Sequence, residues 1–365
     1  MKHLVLLGGG HAHIHVLRDF ALQPPAGARV TLVSPFPDLV YSGMVPGAIA
    51  GHYRPGDCGI ALAPLAASAR AGFMQGVAIA IDAASRTVTL ADGDVLNYDV
   101  LSLDTGGVID RDAIPGARER ALFVRPMEHF VLLSGDLLAL AQQRNLSVVM
   151  IGGGAAGVEL AMALQHRLEG RARVSLLTGG PPPMSTYPLP VQQRAARAMK
   201  RRGVTLFEDS CAGIADGHVL LGGHGARLAC DAPIVGIGST APAWLGGSGL
   251  ALDEQGFVAT GPTLQSLSHL EVFAVGDVSS RPDAPRAKSG VYAVRAGAPL
   301  AQNLRRFIGG GPLQPFEPQP RSLNLLSCGN RYAIASWGDW SAEGRWAWWW
   351  KDRIDRAFVR RFSMR

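Results

Sequence analysis

Short apolar runs that stop at glycines punctuate this chain. His3-Leu-Val-Leu-Leu7 leads into Gly8-Gly9-Gly10-His11-Ala12-His13, and Leu146-Ser-Val-Val-Met-Ile151 leads into Gly152-Gly153-Gly154-Ala155-Ala156-Gly157. A strand buried on both faces reads as such a continuous apolar run, and a glycine turn lets it pass into a helix. After each turn comes helical spacing and then a second apolar run, Ala28-Arg-Val-Thr-Leu-Val33 in one case and Ala172-Arg-Val-Ser-Leu-Leu177 in the other. The pattern predicts strand, turn, helix and strand twice over, with the later helix running through residues 158–169. Between the two units, Arg86-Thr-Val-Thr-Leu90, Asp92-Gly93 and Tyr98-Asp-Val-Leu-Ser-Leu103 predict a hairpin followed by a strand. A further strand is expected in His269-Leu-Glu-Val-Phe-Ala-Val-Gly-Asp277, ending at Gly-Asp.

Strand–turn–helix–strand units of this kind build doubly wound α/β sheets. The fold class expected is α/β with two Rossmann-like domains, the second inserted in the first, plus a small C-terminal α+β piece. The first domain is placed at residues 1–115 and 250–310 and the inserted one at 116–249. Residues 311–365 form a capping or membrane-contact segment behind the Gly/Pro linker 309–320. A length of 365 residues suits this division, at about 150 residues per domain.

Composition narrows the class. With 47% hydrophobic residues, 45 Gly and 24 Pro, the chain is globular and turn-rich, far from the low hydrophobicity of disorder. The net charge of +6 is concentrated at the end, where Arg345, Lys351, Arg353, Arg356, Arg360, Arg361 and Arg365 mix with Trp346, Trp348, Trp349 and Trp350. Trp346, Trp350, Ile354, Phe358 and Phe362 recur every four residues and predict an apolar helical stripe. Two roles are open for it: a helix lying in the headgroup region of a membrane, or a helix packed on its own protein with the tryptophans as core. Nucleic acid is not expected as a partner. The N-terminal apolar run is too short for a signal peptide and no run spans a bilayer, so the expected location is cytoplasmic, with contact to the inner membrane face through the Trp/Arg-rich end.

Glycine turns at strand ends offer backbone N–H groups and a helix N-terminus to a diphosphate. In the first turn Gly8 and Gly10 hold the first two glycine positions, but His13 stands where a third small residue packs helix on strand. The second turn is complete, with Gly152, Gly154 and Gly157 in place. His11, His13 and His15 occupy alternating helical positions that point apart, and no metal site is expected. Four cysteines, Cys58, Cys211, Cys230 and Cys328, make neither a C-x-x-C pair nor a zinc spacing.

Together the N-terminal turn, Leu103-Asp-Thr-Gly-Gly107, the 152–159 motif and Val272-Phe-Ala-Val-Gly-Asp277 resemble the two-dinucleotide-binding-domain flavoproteins of the pyridine nucleotide-disulfide oxidoreductase superfamily. The resemblance implies FAD in the first domain and NAD(P)H in the second, with hydride passing from nicotinamide to flavin. It implies FAD contacts at Gly8, Gly10, His11, Ala12, Ser34, Pro46, Ala78, Thr105, Gly106, Gly276 and Asp277, the last holding a ribityl hydroxyl. Nicotinamide dinucleotide contacts are implied at Gly152, Gly154, Ala155, Ala156 and Gly157. Ser34 departs from the acidic ribose ligand usual at its position. Thr178-Gly179-Gly180 likewise offers neither an acid for an NAD ribose nor an arginine for a 2′-phosphate.

Disulfide reductases of the superfamily carry a close cysteine pair beside the flavin, which this sequence lacks. Electrons are therefore expected to leave for a diffusible acceptor. Among members without the pair, Leu6-Leu-Gly-Gly-Gly-His-Ala-His-Ile-His-Val16, Val40-Tyr-Ser-Gly-Met-Val-Pro-Gly47, Lys288-Ser-Gly-Val-Tyr-Ala-Val-Arg295 and Arg331-Tyr-Ala-Ile-Ala-Ser-Trp-Gly338 resemble type II NADH dehydrogenase-like proteins and, more narrowly, the flavoprotein module fused to selenide, water dikinase. The resemblance implies a quinone or similar small acceptor, with sulfur or selenium species as the alternative and a redox-sensing or scaffold flavoprotein as a third reading. Catalytic roles are expected at Glu159, Lys288 and Tyr292. Glu159 would position the nicotinamide or relay a proton, or else only cap its helix. Lys288 would be a counter-charge for the reduced flavin, or else a surface ion-pair partner. Gly290-Val291-Tyr292-Ala293 replaces the Ala-Gln segment that type II dehydrogenases set against the quinone.

Overall fold

A computed structural model describes residues 1–54, 56–223 and 225–363. Two five-stranded parallel sheets dominate it. In the first, Lys2–Leu7 lies centrally between Ala28–Ser34 and Val100–Leu103, with Gly72–Gln75 and Val272–Ala274 at the edges. The second repeats the plan: Leu146–Ile151 lies between Ala172–Leu177 and Ala232–Val235, flanked by Thr205–Phe207 and Leu122–Phe123. Each sheet carries a three-stranded antiparallel meander, the first over Ala78–Asp82, Thr87–Leu90 and Val95–Asn97.

Both glycine turns feed helices as their spacing demands. His11–Leu22 buries Ile14, Leu17 and Phe20 against the first sheet, each worth roughly 1.5–3 kcal/mol on burial. It crosses Gly290–Gly309 so closely that a Cβ on Gly297 would strike His15. The second helix spans Ala155–Arg167, beginning before the predicted residue 158 because extended Gly154 already serves as its N-cap. The strand expected from Tyr98 begins only at Val100, since the Asp99 carboxylate turns aside to accept from the His3 N–H at 2.6 Å.

The C-terminal piece is an antiparallel sheet of Leu323–Ser327, Ala333–Trp337 and Trp340–Gly344, followed by the helix Arg345–Phe362. It packs on the cores of both units, Leu326, Cys328 and Ile334 on the second and Val359 and Phe362 on the first. Its predicted apolar stripe is corrected by the structure: Phe362 is buried and Phe358 half-buried, but Trp346, Trp350 and Ile354 are 47, 42 and 41% exposed. The inward face carries Ala347, Trp348, Lys351, Asp355, Val359 and Phe362 instead. A charged pair can face inward because it is satisfied there: Lys351 Nζ donates to Asp355 Oδ2 at 2.7 Å and to the Gly43 carbonyl at 2.6 Å. Of the basic residues, Arg353 and Arg360 are solvated and Arg356 stacks on Tyr53, while Arg365 lies outside the described residues.

Candidate active site

The carboxyl ends of the first sheet open on a cleft lined by Gly8, Gly10, His11, Ser34, Ala78, Thr105, Gly106 and Asp277, where open parallel sheets receive ligands. Gly8 has φ +98°, and a Cβ there would collide with the Asp104 carbonyl. A Cβ on Gly10 would overlap the Asp104 carboxyl group itself. That carboxyl is buried, and its Oδ2 accepts from the Ala12 N–H at 2.7 Å and the His13 N–H at 3.0 Å. Desolvation pushes it up to about 8, against the pull of those two amides.

His13, the apparent irregularity of the first turn, is fully buried. Its Nδ1 lies 2.6 Å from the Gly8 carbonyl and its Nε2 2.8 Å from Ser102 Oγ. The imidazole thus joins turn, helix and neighbouring strand, a task that a small third residue performs by packing alone. Burial holds it neutral, lowering it to about 4. The lowering is the same for His11 and His15, whose rings meet Phe358 and Phe362 of the C-terminal helix.

Asp277 forms the opposite wall, with Arg125 Nη2 2.9 Å from its Oδ2. Pro46 lies in the short helix Val45–Ile49, buried and outside the lining of the cleft. The residues present fit a dinucleotide: the buried Thr105 Oγ1 and His11 Nε2 have no partner within the described residues, and a buried polar atom is rarely left so unless a ligand meets it.

In the second turn Gly152, at φ +129°, would drive a Cβ into the Gly236 carbonyl, and Gly157 would drive one into the carbonyl of Gly152. Gly154 meets nothing within 4 Å, and Ala156 is exposed, so this helix start faces open space. Glu159 turns away from it. Its Oε1 accepts from the Ser327 N–H at 2.6 Å, and burial pushes its carboxyl up to about 7 against the attraction of Lys351.

Lys288 and Tyr292 stand on a second cavity, which also holds Gly276 and shares Asp277 with the first cleft. The Lys288 ammonium donates to the Ser279 carbonyl at 2.5 Å and sits 3.6 Å from the centre of the Phe257 ring. Desolvation lowers it. None of the four cysteines lines either cavity; all are free, and burial pushes Cys328 up to about 12.

Sequence reasoning missed Asp104, Arg125, Ser327 and Lys351. Asp104 stood inside a quoted motif, yet its partners come from residues about 90 positions earlier. Arg125 was not singled out, and Lys351 was named only among the basic residues of the C-terminal end.

Residues 2–297 match the pyridine nucleotide-disulphide oxidoreductase family, and the chain belongs to it. It is an oxidoreductase, with FAD and NAD(P)H as cofactors. Demethylphylloquinone reductase NdbB of Synechocystis is 27% identical over 278 residues, covering 72% of this chain and 68% of that protein. Among solved structures, the sulfide:quinone oxidoreductase of Aquifex aeolicus superposes with a TM-score of 0.83 at 19% identity, covering 100% of this chain and 92% of that one. NDH2 of Plasmodium falciparum, solved with NADH, gives 0.82 at 13% identity, covering 98% and 97%. These likenesses confirm the expected α/β fold.

Proposed function

We propose that the protein passes electrons from NAD(P)H through FAD to a quinone or similar small acceptor. Residues 1–115 and 250–310 hold FAD, residues 116–249 hold the nicotinamide dinucleotide, and 311–365 cap both. When bound, FAD supplies the two-electron chemistry, taking hydride from the nicotinamide and releasing electrons to the acceptor. The observation that carries this reading is the first cleft, with its glycine turn, the Asp277 carboxylate suited to a ribityl hydroxyl and no cysteine among the described lining residues to relay electrons as a dithiol, together with the open start of the second glycine-turn helix.

The chain's own residues divide the work. Gly8 and Gly10 give the backbone room to approach a diphosphate, with Ala12, Thr105 and Gly106 around it and Ser34 and Ala78 toward the adenosine end. Asp277 accepts from a ribityl hydroxyl, with Gly276 beside it, while Pro46 contributes only from the short helix behind the cleft. Gly152, Gly154, Ala155, Ala156 and Gly157 present the second helix start to NAD(P)H. Glu159, on the first turn of that helix, holds a proton close to neutral pH and, tied to Ser327, positions the nicotinamide through the helix start that it anchors. Lys288 and Tyr292 lie beyond Asp277, on the acceptor side.

Membrane contact belongs to the same proposal. Among the described residues no helix is long and apolar enough to cross a membrane. Yet Trp346, Trp349 and Trp350 of the last helix and Trp337 and Trp340 of its hairpin are 42–53% exposed, with Arg345 and Arg353 solvated beside them. An aromatic and basic surface suits the headgroup region, where a quinone pool would be reached.

Stopped-flow reduction of the bound flavin by NADH and NADPH in turn, followed by reoxidation with a quinone, selenite or polysulfide, tests the reading. Fast reduction and fast reoxidation by the quinone are expected. A colourless protein that takes up no FAD overturns it, and reoxidation by selenite or polysulfide alone moves the acceptor to sulfur or selenium chemistry.

A further inference from the structure

The carboxyl of Asp104 sits where the diphosphate of a dinucleotide would approach the first glycine turn. Its Oδ2 already occupies the Ala12 and His13 amides, two of the N–H groups that a helix start normally offers to an anion. The space it fills is the space left by the missing side chain of Gly10. Its other oxygen, Oδ1, points toward Gly276, 2.8 Å from where a Cβ would stand there. The carboxyl therefore lies between the helix start and the Gly276-Asp277 wall, and Asp104 is among the residues lining the first cleft.

An ionised carboxylate so placed would repel a doubly charged diphosphate in a desolvated cleft. A neutral carboxylic acid would not. It keeps Oδ2 as acceptor for the two amides and gains an O–H donor on Oδ1. We propose that Asp104 is a diphosphate-binding residue that holds FAD as a neutral acid, its Oδ1–H donating to a diphosphate oxygen, so that cofactor binding above neutral pH takes up one proton from solvent. This rests on the assignment of the first cleft to FAD.

The surroundings favour that protonation state. The helix His11–Leu22 presents His11 and His13, both kept neutral by burial, and its two amides. From the turn 276–278 comes the Asp277 carboxylate, a like charge that disfavours a second anion beside it. From the far wall comes Arg125, whose guanidinium is committed to Asp277. The adjoining strand contributes only Ser102, which is taken by His13. Desolvation, the largest influence, already raises Asp104 to about 8 before any diphosphate arrives.

The test measures the FAD Kd of the full-length, deflavinated chain by fluorescence quenching between pH 6.5 and 9.5, for the wild type and D104N. The wild-type Kd should be flat to about pH 8 and then rise by up to about tenfold per pH unit, the limit for one coupled proton. D104N, a neutral side chain with a donor, should bind at low pH with a Kd within a few-fold of wild type and stay flat throughout. Calorimetry of FAD binding to the wild type at pH 9, in buffers of different ionisation enthalpy, should show uptake of close to one proton and decides the matter without a variant. A flat wild-type profile with no proton uptake, or a D104N profile that keeps the wild-type slope, overturns the inference while leaving the FAD cleft standing. Absence of FAD binding at every pH instead overturns the assignment of the cleft, and the inference with it.

Discussion

Glu159 Oε1 and the Ser327 amide nitrogen are 2.6 Å apart, joining the helix that leaves the second glycine turn to the first strand of the C-terminal sheet. The carboxylate proposed to position the nicotinamide through that helix is thus fixed by a segment outside both nucleotide-binding sheets. Replacing Glu159 by Gln keeps an acceptor for Ser327 and removes the charge. Flavin reduction by NAD(P)H in stopped-flow should slow by roughly 10–100-fold, with FAD content unchanged.

The same residue carries a pH signature. Its folded carboxyl is raised to about 7, above the about 4.3 of an unfolded chain. The folded state therefore binds the proton more tightly, and this contribution is fully present below about pH 4 and lost as pH rises through 7. Between pH 5 and 8 the wild type should lose roughly 2–3 kcal/mol more than E159Q, read from urea midpoints at the two pH values. Equal losses in both proteins would remove Glu159 as the source.

The two glycine turns are separable by mutation. A Cβ on Gly157 meets the Gly152 carbonyl at the start of the second helix, and overpacking of this kind costs about 1–3 kcal/mol. G157A should purify with FAD bound but be reduced slowly by NAD(P)H, with dithionite reduction unaffected. G10A should do the opposite, losing FAD at purification because its methyl displaces the Asp104 carboxyl.

Lys351 and Asp355 form a buried pair, and removing one member leaves an uncompensated charge. K351M should destabilise the protein by about 3–5 kcal/mol, with the double variant K351M/D355L recovering much of the loss. Thermal unfolding of the three proteins checks this.

Membrane contact is tested on the exposed face alone. Substituting Trp346 and Trp350 by Ser should abolish sedimentation with anionic liposomes without lowering Tm, since both rings are about half exposed. Deleting residues 340–365 would be a poorer experiment, because it also removes Lys351, Asp355 and Phe362 from the core.

How much was legible in the sequence follows from where each contact originates. The glycine turns were legible because close backbone approach excludes a Cβ, and spacing alone records that demand. The function of His13 was not, because the ring is explained by Ser102, a partner in a strand 89 positions later. Asp104 and Arg125 were invisible for the same reason, each being defined by groups that only the tertiary fold delivers. The C-terminal stripe failed differently. Apolar periodicity marks the face that avoids water, but a satisfied Lys–Asp pair outcompeted tryptophan for the interior and left the aromatic edge outside.

Ser327 steadies Glu159, Gly329 receives a ring nitrogen of His52 at 3.0 Å, and Lys351 grips the Gly43 carbonyl, so the last elements of the chain complete parts built hundreds of residues earlier. During synthesis at about 5–20 residues per second, both glycine turns emerge well before these supports exist. On the proposed roles of these residues, a nascent chain therefore carries its nucleotide turns before the supports at Ser327, Gly329 and Lys351 have formed.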